Sequence, residues 1–297
     1  MRLPTSARLS ETTAERLRIA ALLAPAVALI VLLFLGGLVS GLLRSLNYFP
    51  LIGLDTPNFD AYTAILSDRE FLLSFWLTLY ISLVSTILST VLAVAAALLL
   101  RAALKGRRVV NVFFSLNLTI PHLVGAVGIL YLISQSGLLA RAAANLGMID
   151  RPAEFPALVA DPLAIGIILT YVWKEVPFIG VIALAILLSV GEDYESVAKS
   201  LGAKRWQAFR HVTLPLLAPG VASASFIVFA FTFGAFEIPW LLGRTYPSAL
   251  PVLAFESYSD VDLGSRPKAM AMAMVIALLS ALAIVGYTRL SRRFIRS

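Results

Sequence analysis

The stretch Glu192–Gly220, EDYESVAKSLGAKRWQAFRHVTLPLLAPG, is a polar island of 29 residues between two long apolar runs. Its first part has helical period: Tyr194, Val197, Ala198 and Leu201 fall at i, i+3, i+4 and i+7 and make one apolar face. Glu192, Asp193 and Glu195 stand in the first turns, where acids suit the helix dipole, and Lys199 stands near the end, where a cation does. Gly202 supplies the residue that closes a helix in the left-handed conformation. A second short helix fits Lys204 to Val212, with Trp206 and Phe209 on one side. Pro215 and Pro219 are expected to punctuate its end.

Working outward, the flanking runs set the class. Of 297 residues 59% are hydrophobic and 14% charged, too apolar for an ordinary soluble domain. With no cysteine there is no disulfide, thiol nucleophile or thiolate metal site. His122 and His211 lie far apart in sequence, which argues against a histidine-based metal site. A net charge of +7 raises nucleic acid as a partner, but the basic residues cluster at the ends of apolar runs, as in a membrane protein.

Six spans are predicted, at about Ile19–Leu43, Leu72–Leu100, Val109–Ile133, Leu163–Val190, Val221–Leu242 and Lys268–Tyr287. The first is longer than a signal-peptide core and no A-x-A site ends it, so it reads as uncleaved. Gly137–Leu146 reads as a short interfacial helix. The chain thus divides into a tail (1–18), a first span with its loop (19–71), the main membrane domain (72–288) containing the loop 191–220, and a basic tail (289–297). The N-terminal tail, the 101–108 loop, the island and the C-terminal tail carry sixteen Lys or Arg; the opposite loops carry seven. The positive-inside rule places both termini and the island in the cytoplasm.

The island has two readings. One is a basic amphipathic loop lying on the membrane surface. The other rests on residue order: Gly202, nine residues, then Val212-x-Leu214-Pro215 resembles the EAA-x3-G-x9-I-x-L-P signature of ABC-importer permeases. Ser196 stands where that family has Glu, with Glu195 one residue early. Val197 replaces the first Ala, Ala198 keeps the second, and Val212 replaces Ile. The resemblance implies an all-α polytopic protein of the type I importer permease (MetI-like) fold with six transmembrane helices, in a bacterial inner (plasma) membrane. It implies a coupling loop formed by Tyr194, Glu195, Ser196, Val197, Ala198, Leu201, Gly202, Ala203, Val212, Leu214 and Pro215. The implied partners are two ATP-binding subunits, a second permease subunit and a soluble substrate-binding protein, with the lipid bilayer around them and no nucleic acid. The sequence holds no G-x-x-x-x-G-K-[ST] motif, so ATP and Mg are expected on the partner ATPase and no cofactor on this chain. No catalytic residue and no metal site is expected.

Within the family, "FTFGAFEIPWLLG" (Phe231–Gly243) and "IPHLVGAVGILYLISQSGLL" (Ile120–Leu139) are similar to polyamine-type permeases. Permeases for iron, sulfate, phosphonate, opine or sugar share much of the pattern. A charge at the bilayer centre costs about 2.5–3.5 kcal/mol even on lenient scales, so Lys174, Glu175 and Glu237 are candidates for the substrate path. Lys174 and Glu175 point about 100° apart on a helix and do not pair; each satisfies a partner on another helix or faces the path. Phe233, Phe236 and Trp240 flank Glu237 as an aromatic wall or as packing. His122 reads as a helix-packing group. The rivals are an ion-coupled secondary transporter, which calls for inverted halves that the sequence does not display, and an intramembrane enzyme, which calls for a nucleophile or metal cluster.

Overall fold

A computed structural model describes residues 5–102, 112, 115–190 and 193–295. Among these residues the fold is all-α, without a strand. Helices close their backbone hydrogen bonds within one segment, which is what a chain crossing lipid requires. Six apolar helical segments are long enough to cross a membrane.

The first crossing joins α1 (Thr5–Ile30) to α2 (Gly36–Ser45) through a π turn at Val31–Leu35. It is peripheral: Leu17 to Leu35 are exposed, and burial begins at Gly41 and Ser45. A Cβ on Gly41 would lie 3.3 Å from Met274 of the last helix. After the short α3 (Asp60–Ser67) comes α4 (Arg69–Ala102), the second crossing. One face of α4 is small throughout: Ser74, Thr78, Ser82, Ser85, Ser89, Ala93 and Ala97 are all buried. Small side chains let helix backbones approach closely in lipid, where hydrophobic burial between helices gives no net drive. That face meets α7 (Ile165–Val190), the fourth crossing, and α10 (Leu214–Gly234), the fifth. Ala93, Ala97, Ile179, Ala183, Leu217, Ala224 and Val228 form their common core. Gly220 of α10 lies so close to α7 that a Cβ there would fall 2.3 Å from Ile186.

The third crossing differs from the continuous Val109–Ile133 expected. Residues 103–111 and 113–114 lie outside the described residues. Residues 115–119 are helical, the chain breaks at Ile120–Pro121, and α5 runs over His122–Ile133. Pro121 takes an extended ψ of 145°, the conformation that ends one helix and starts another. The segment read as a short interfacial helix, Gly137–Leu146, is helical at Leu138–Asn145 (α6).

The fifth crossing also starts and ends elsewhere than expected. It begins inside the island: α9 (Arg205–Ala208) runs through a π turn (Phe209–Thr213) directly into α10. Pro215 and Pro219 therefore do not end a helix. Pro215 lies in the first turn of α10, where its missing N–H costs little, and the wider π turn before it makes room for the ring. The crossing stops at Gly234. Ala235 is extended, and Glu237–Leu242 form a separate short helix, α11. Two helices complete the bundle, α12 (Leu250–Ser259) and α13 (Arg266–Ile295).

Candidate functional site

In the island, α8 spans Asp193–Ser200. Glu192 and the side chain of Asp193 lie outside the described residues. The apolar face read from the sequence is present and faces outward: Tyr194 is 61% exposed, Val197 58% and Leu201 83%, while Ala198 is half-buried. Helix faces this apolar are normally covered. Ser196 is exposed as well, and Ala203 half-buried. The helix ends in a Schellman motif. Gly202 N–H donates to the Lys199 carbonyl at 2.9 Å and Ala203 N–H to the Ala198 carbonyl at 3.0 Å. Gly202 has φ +90°, the left-handed region in which side-chain-bearing residues are strained. Lys204 N–H then donates to Gln207 Oε1 at 2.8 Å and starts α9. A groove of about 440 Å³ opens between the two short helices, lined by Leu201, Gly202, Gln207, His211 and Val212 among others. Leu214 and Pro215 are exposed at the head of the fifth crossing.

Glu195 faces the opposite way. Its Oε1 accepts from Arg101 Nη1 at 2.9 Å and from the Thr213 hydroxyl, and its other oxygen lies 3.8 Å from Lys199 Nζ. The Thr213 hydrogen bond, and then the Arg101 charge, hold this carboxyl below the ordinary carboxylate range against the opposing effect of burial. Arg101 and Thr213 are partners that sequence reading missed, since 94 and 18 residues separate them from Glu195.

The membrane-embedded charges resolve differently. Pro121 and Pro177 lack an N–H, which frees the carbonyls four residues earlier, those of Asn117 and Trp173. Lys174, buried, donates through Nζ to the Asn117 and Ile120 carbonyls at 2.7 Å each. Asn117 Nδ2 donates in return to the Trp173 carbonyl at 3.0 Å. Two proline gaps on facing helices are thus filled by a reciprocal pair. Glu175 is buried, with Oε1 3.2 Å from His122 Nε2, and the His122 ring packs 4.7 Å from that of Phe231. His122 is therefore a carboxylate partner as well as a packing group. Tyr171, wholly buried, lies within electrostatic reach of both Glu175 and Glu237.

Glu237 opens α11 and is exposed. Trp240 is exposed beside it, and Phe236 stacks on Trp240 at 5.8 Å. Phe233 does not join them. The break at Ala235 leaves it inside the bundle, fully buried between Phe75 and Phe229. The expected aromatic wall is reduced to Phe236 and Trp240, with Phe255 behind at 4.8 Å from Phe236.

Six apolar helical segments long enough to cross a membrane, with a short amphipathic helix between the fourth and fifth, define a polytopic membrane protein. The family described as "Binding-protein-dependent transport system inner membrane component" matches residues 89–296, and the chain belongs to it. It is a permease subunit of an ABC importer, a multi-pass inner-membrane protein, and not itself an enzyme. A probable ABC transporter permease of Brucella abortus biovar 1 is 28% identical over 78% of this chain and 81% of its own. The molybdenum transport system permease of Mycobacterium tuberculosis is 29% identical over 63% of this chain and 68% of its own. A trehalose/maltose transport system permease of Thermococcus litoralis is 27% identical over 81% of each. A crystal structure of a bacterial ABC transporter that imports the polysaccharide alginate shares the fold, with TM-score 0.78 over 96% of this chain and 99% of that one, at 21% identity.

Proposed function

We propose that α8 is the coupling helix, seated on an ATP-binding subunit that carries ATP and Mg. The observation behind this is the outward apolar face of Tyr194, Val197 and Leu201, terminated by Gly202. An amphipathic helix of this kind fills a groove on a soluble partner. In the assembly, two such ATPases stand beneath this chain and a second permease subunit, alike or different, and a soluble binding protein delivers substrate from outside. Both termini and the island are cytoplasmic, by the excess of basic residues on that side. ATP-driven closure of the ATPases moves the coupling helices and opens the path outward; hydrolysis resets it. Since the chain has no native cysteine, single cysteines at Ser196, Ser200 or Ala203 test the docking. Cross-linking to the ATPase is expected in an active complex, and its absence from all three positions refutes the docking.

For the substrate we propose a cationic, polyamine-like solute. Glu237 and Trp240 are exposed side by side, with Phe236 stacked on the indole, and a carboxylate beside aromatic faces suits an ammonium group. Glu237→Gln keeps the shape and removes the charge; uptake of the cation is expected to fall while the complex still assembles. A neutral sugar is the second reading, favoured by the same stacked pair and by likeness to the trehalose/maltose permease. Sulfate, named for the transport system of another relative, or any other oxyanion would meet the Glu237 charge unfavourably. Identifying the ligand that co-purifies with the cognate binding protein decides: an oxyanion refutes the cation reading.

A further inference from the structure

We infer that Glu195 is a latch that makes the coupling helix move as one body with the second and fifth crossings. It is a positioning residue and not a contact for the ATPase. The inference rests on the docking reading of α8. Three elements meet at one carboxylate oxygen. Arg101 comes from the end of α4, Thr213 from the π turn that heads α10, and Glu195 from α8 itself. The site is sheltered: the Arg101 and Glu195 side chains are 12% and 25% exposed, and Thr213 is buried. Ile186, Leu187, Leu216 and Leu217 form the apolar wall around it. A hydrogen-bonded ion pair shielded in this way holds its geometry better than one in open water.

The mechanical reason follows from the chain path. Eight helical residues, joined onward through the turn at Gly202, would pivot if pushed on their outer face. A push on Tyr194, Val197 and Leu201 would then be absorbed in the turn at Gly202. The tie lies on the opposite face, where it transfers that push to two membrane helices at once. It also accounts for the displaced acid. Ser196, at the position where related permeases carry Glu, is exposed, whereas Glu195 is rotated about 100° from it and points inward.

The test measures solute transported per ATP hydrolysed in proteoliposomes, together with cross-linking from Ser200→Cys to the ATPase. With Glu195→Ala the ratio is expected to fall fivefold or more while the cross-link persists. Glu195→Gln, which keeps an acceptor oxygen, is expected to restore part of it. Thr213→Val, isosteric and lacking the donor, is expected to lower the ratio at least twofold, and it carries the test if Glu195→Ala does not assemble. A residue needed only for folding would reduce the amount of complex and leave the ratio alone. An unchanged ratio overturns the latch and leaves docking intact. Loss of the cross-link in Glu195→Ala alone also overturns it, because the carboxylate then acts in docking. Failure of Ser200→Cys to cross-link with Glu195 present defeats the docking reading first.

Discussion

Replacing Gly202 by valine isolates the backbone contribution to coupling. An added Cβ meets nothing within 4 Å, so there is no steric clash with neighbours. The cost comes from φ +90° alone. A non-glycine residue held in the left-handed region costs about 1–2 kcal/mol, and β-branching puts valine at the upper end. The alternative is to leave that region and lose the two capping bonds, from Gly202 to Lys199 and from Ala203 to Ala198. At about 0.5–1.5 kcal/mol each, that route is no cheaper. A penalty of about 1–2 kcal/mol shifts the closed-to-open ratio of a short helix by roughly 5- to 30-fold, and an eight-residue helix has little intrinsic stability to absorb it. Hydrogen exchange across residues 194–203 of the assembled transporter is expected to speed up by that factor. Uptake is expected to fall while ATP hydrolysis continues. Gly36→Ala is the control: Gly36 has φ −61° and open space, so the exchange is expected not to change. Native protection together with native uptake in Gly202→Val refutes the reasoning.

The remaining expectations follow from the same contacts. Lys174→Met removes the ammonium donor from the Asn117 and Ile120 carbonyls, of which that of Asn117 keeps the Ile120 N–H at 3.2 Å, and is expected to cost on the order of 2 kcal/mol, read from unfolding in mixed micelles; a variant as stable as the native chain refutes the stitching role. Because the folded Glu195 carboxyl is held below its ordinary range, its contribution is complete above an unfolded value of about 4.3 and is lost as pH falls through the lower folded value. Intrinsic-rate-corrected exchange in α8 is therefore expected to stay flat from neutral pH down to about 4.3 and to rise as pH falls from there through the lower folded value, and a rise already near pH 6 refutes the assignment. Thiol labels at Ser67 and Ser265 are expected to react from outside and one at Ser200 only after permeabilisation, with the reverse pattern overturning the orientation; Ser297, a further inside position, lies outside the described residues.

The crossings and the island were legible because they depend on length and hydropathy summed over twenty or more residues. Gly202 was legible because its conformation is local. What the sequence did not disclose is non-local. Pro177 sits within a 26-residue helix, whereas the chain breaks at Pro121, and the two prolines look alike in sequence. The difference lies in ψ before the following turn, which tertiary packing sets. Phe233 and Phe236 are three residues apart on a would-be helical face, yet the break at Ala235 sends one into the core and the other toward Glu237. The inward turn of Glu195 depends on Arg101, and no local signal announces a partner 94 residues away.

These cases share a cause. Inside a bilayer an interrupted helix exposes backbone groups that no water can satisfy, so each interruption draws a polar side chain to it. Lys174 and Asn117 serve the gaps at Pro121 and Pro177. Asp161, buried, accepts from the N–H groups of Leu163 and Ile165 where the fourth crossing begins. Thr78 Oγ1 accepts from the N–H of Leu250 at the start of α12. Polar residues so employed are structural, however costly they look in a hydropathy reading. Glu237 stands at an interruption as well, after Ala235, but among the described residues its side chain makes no hydrogen bond and it is exposed. Lys174 satisfies backbone carbonyls and Glu175 pairs with His122, whereas Glu237 is a carboxylate placed at a break and not used to mend it. For that reason Glu237, and neither Lys174 nor Glu175, carries the proposal about substrate charge.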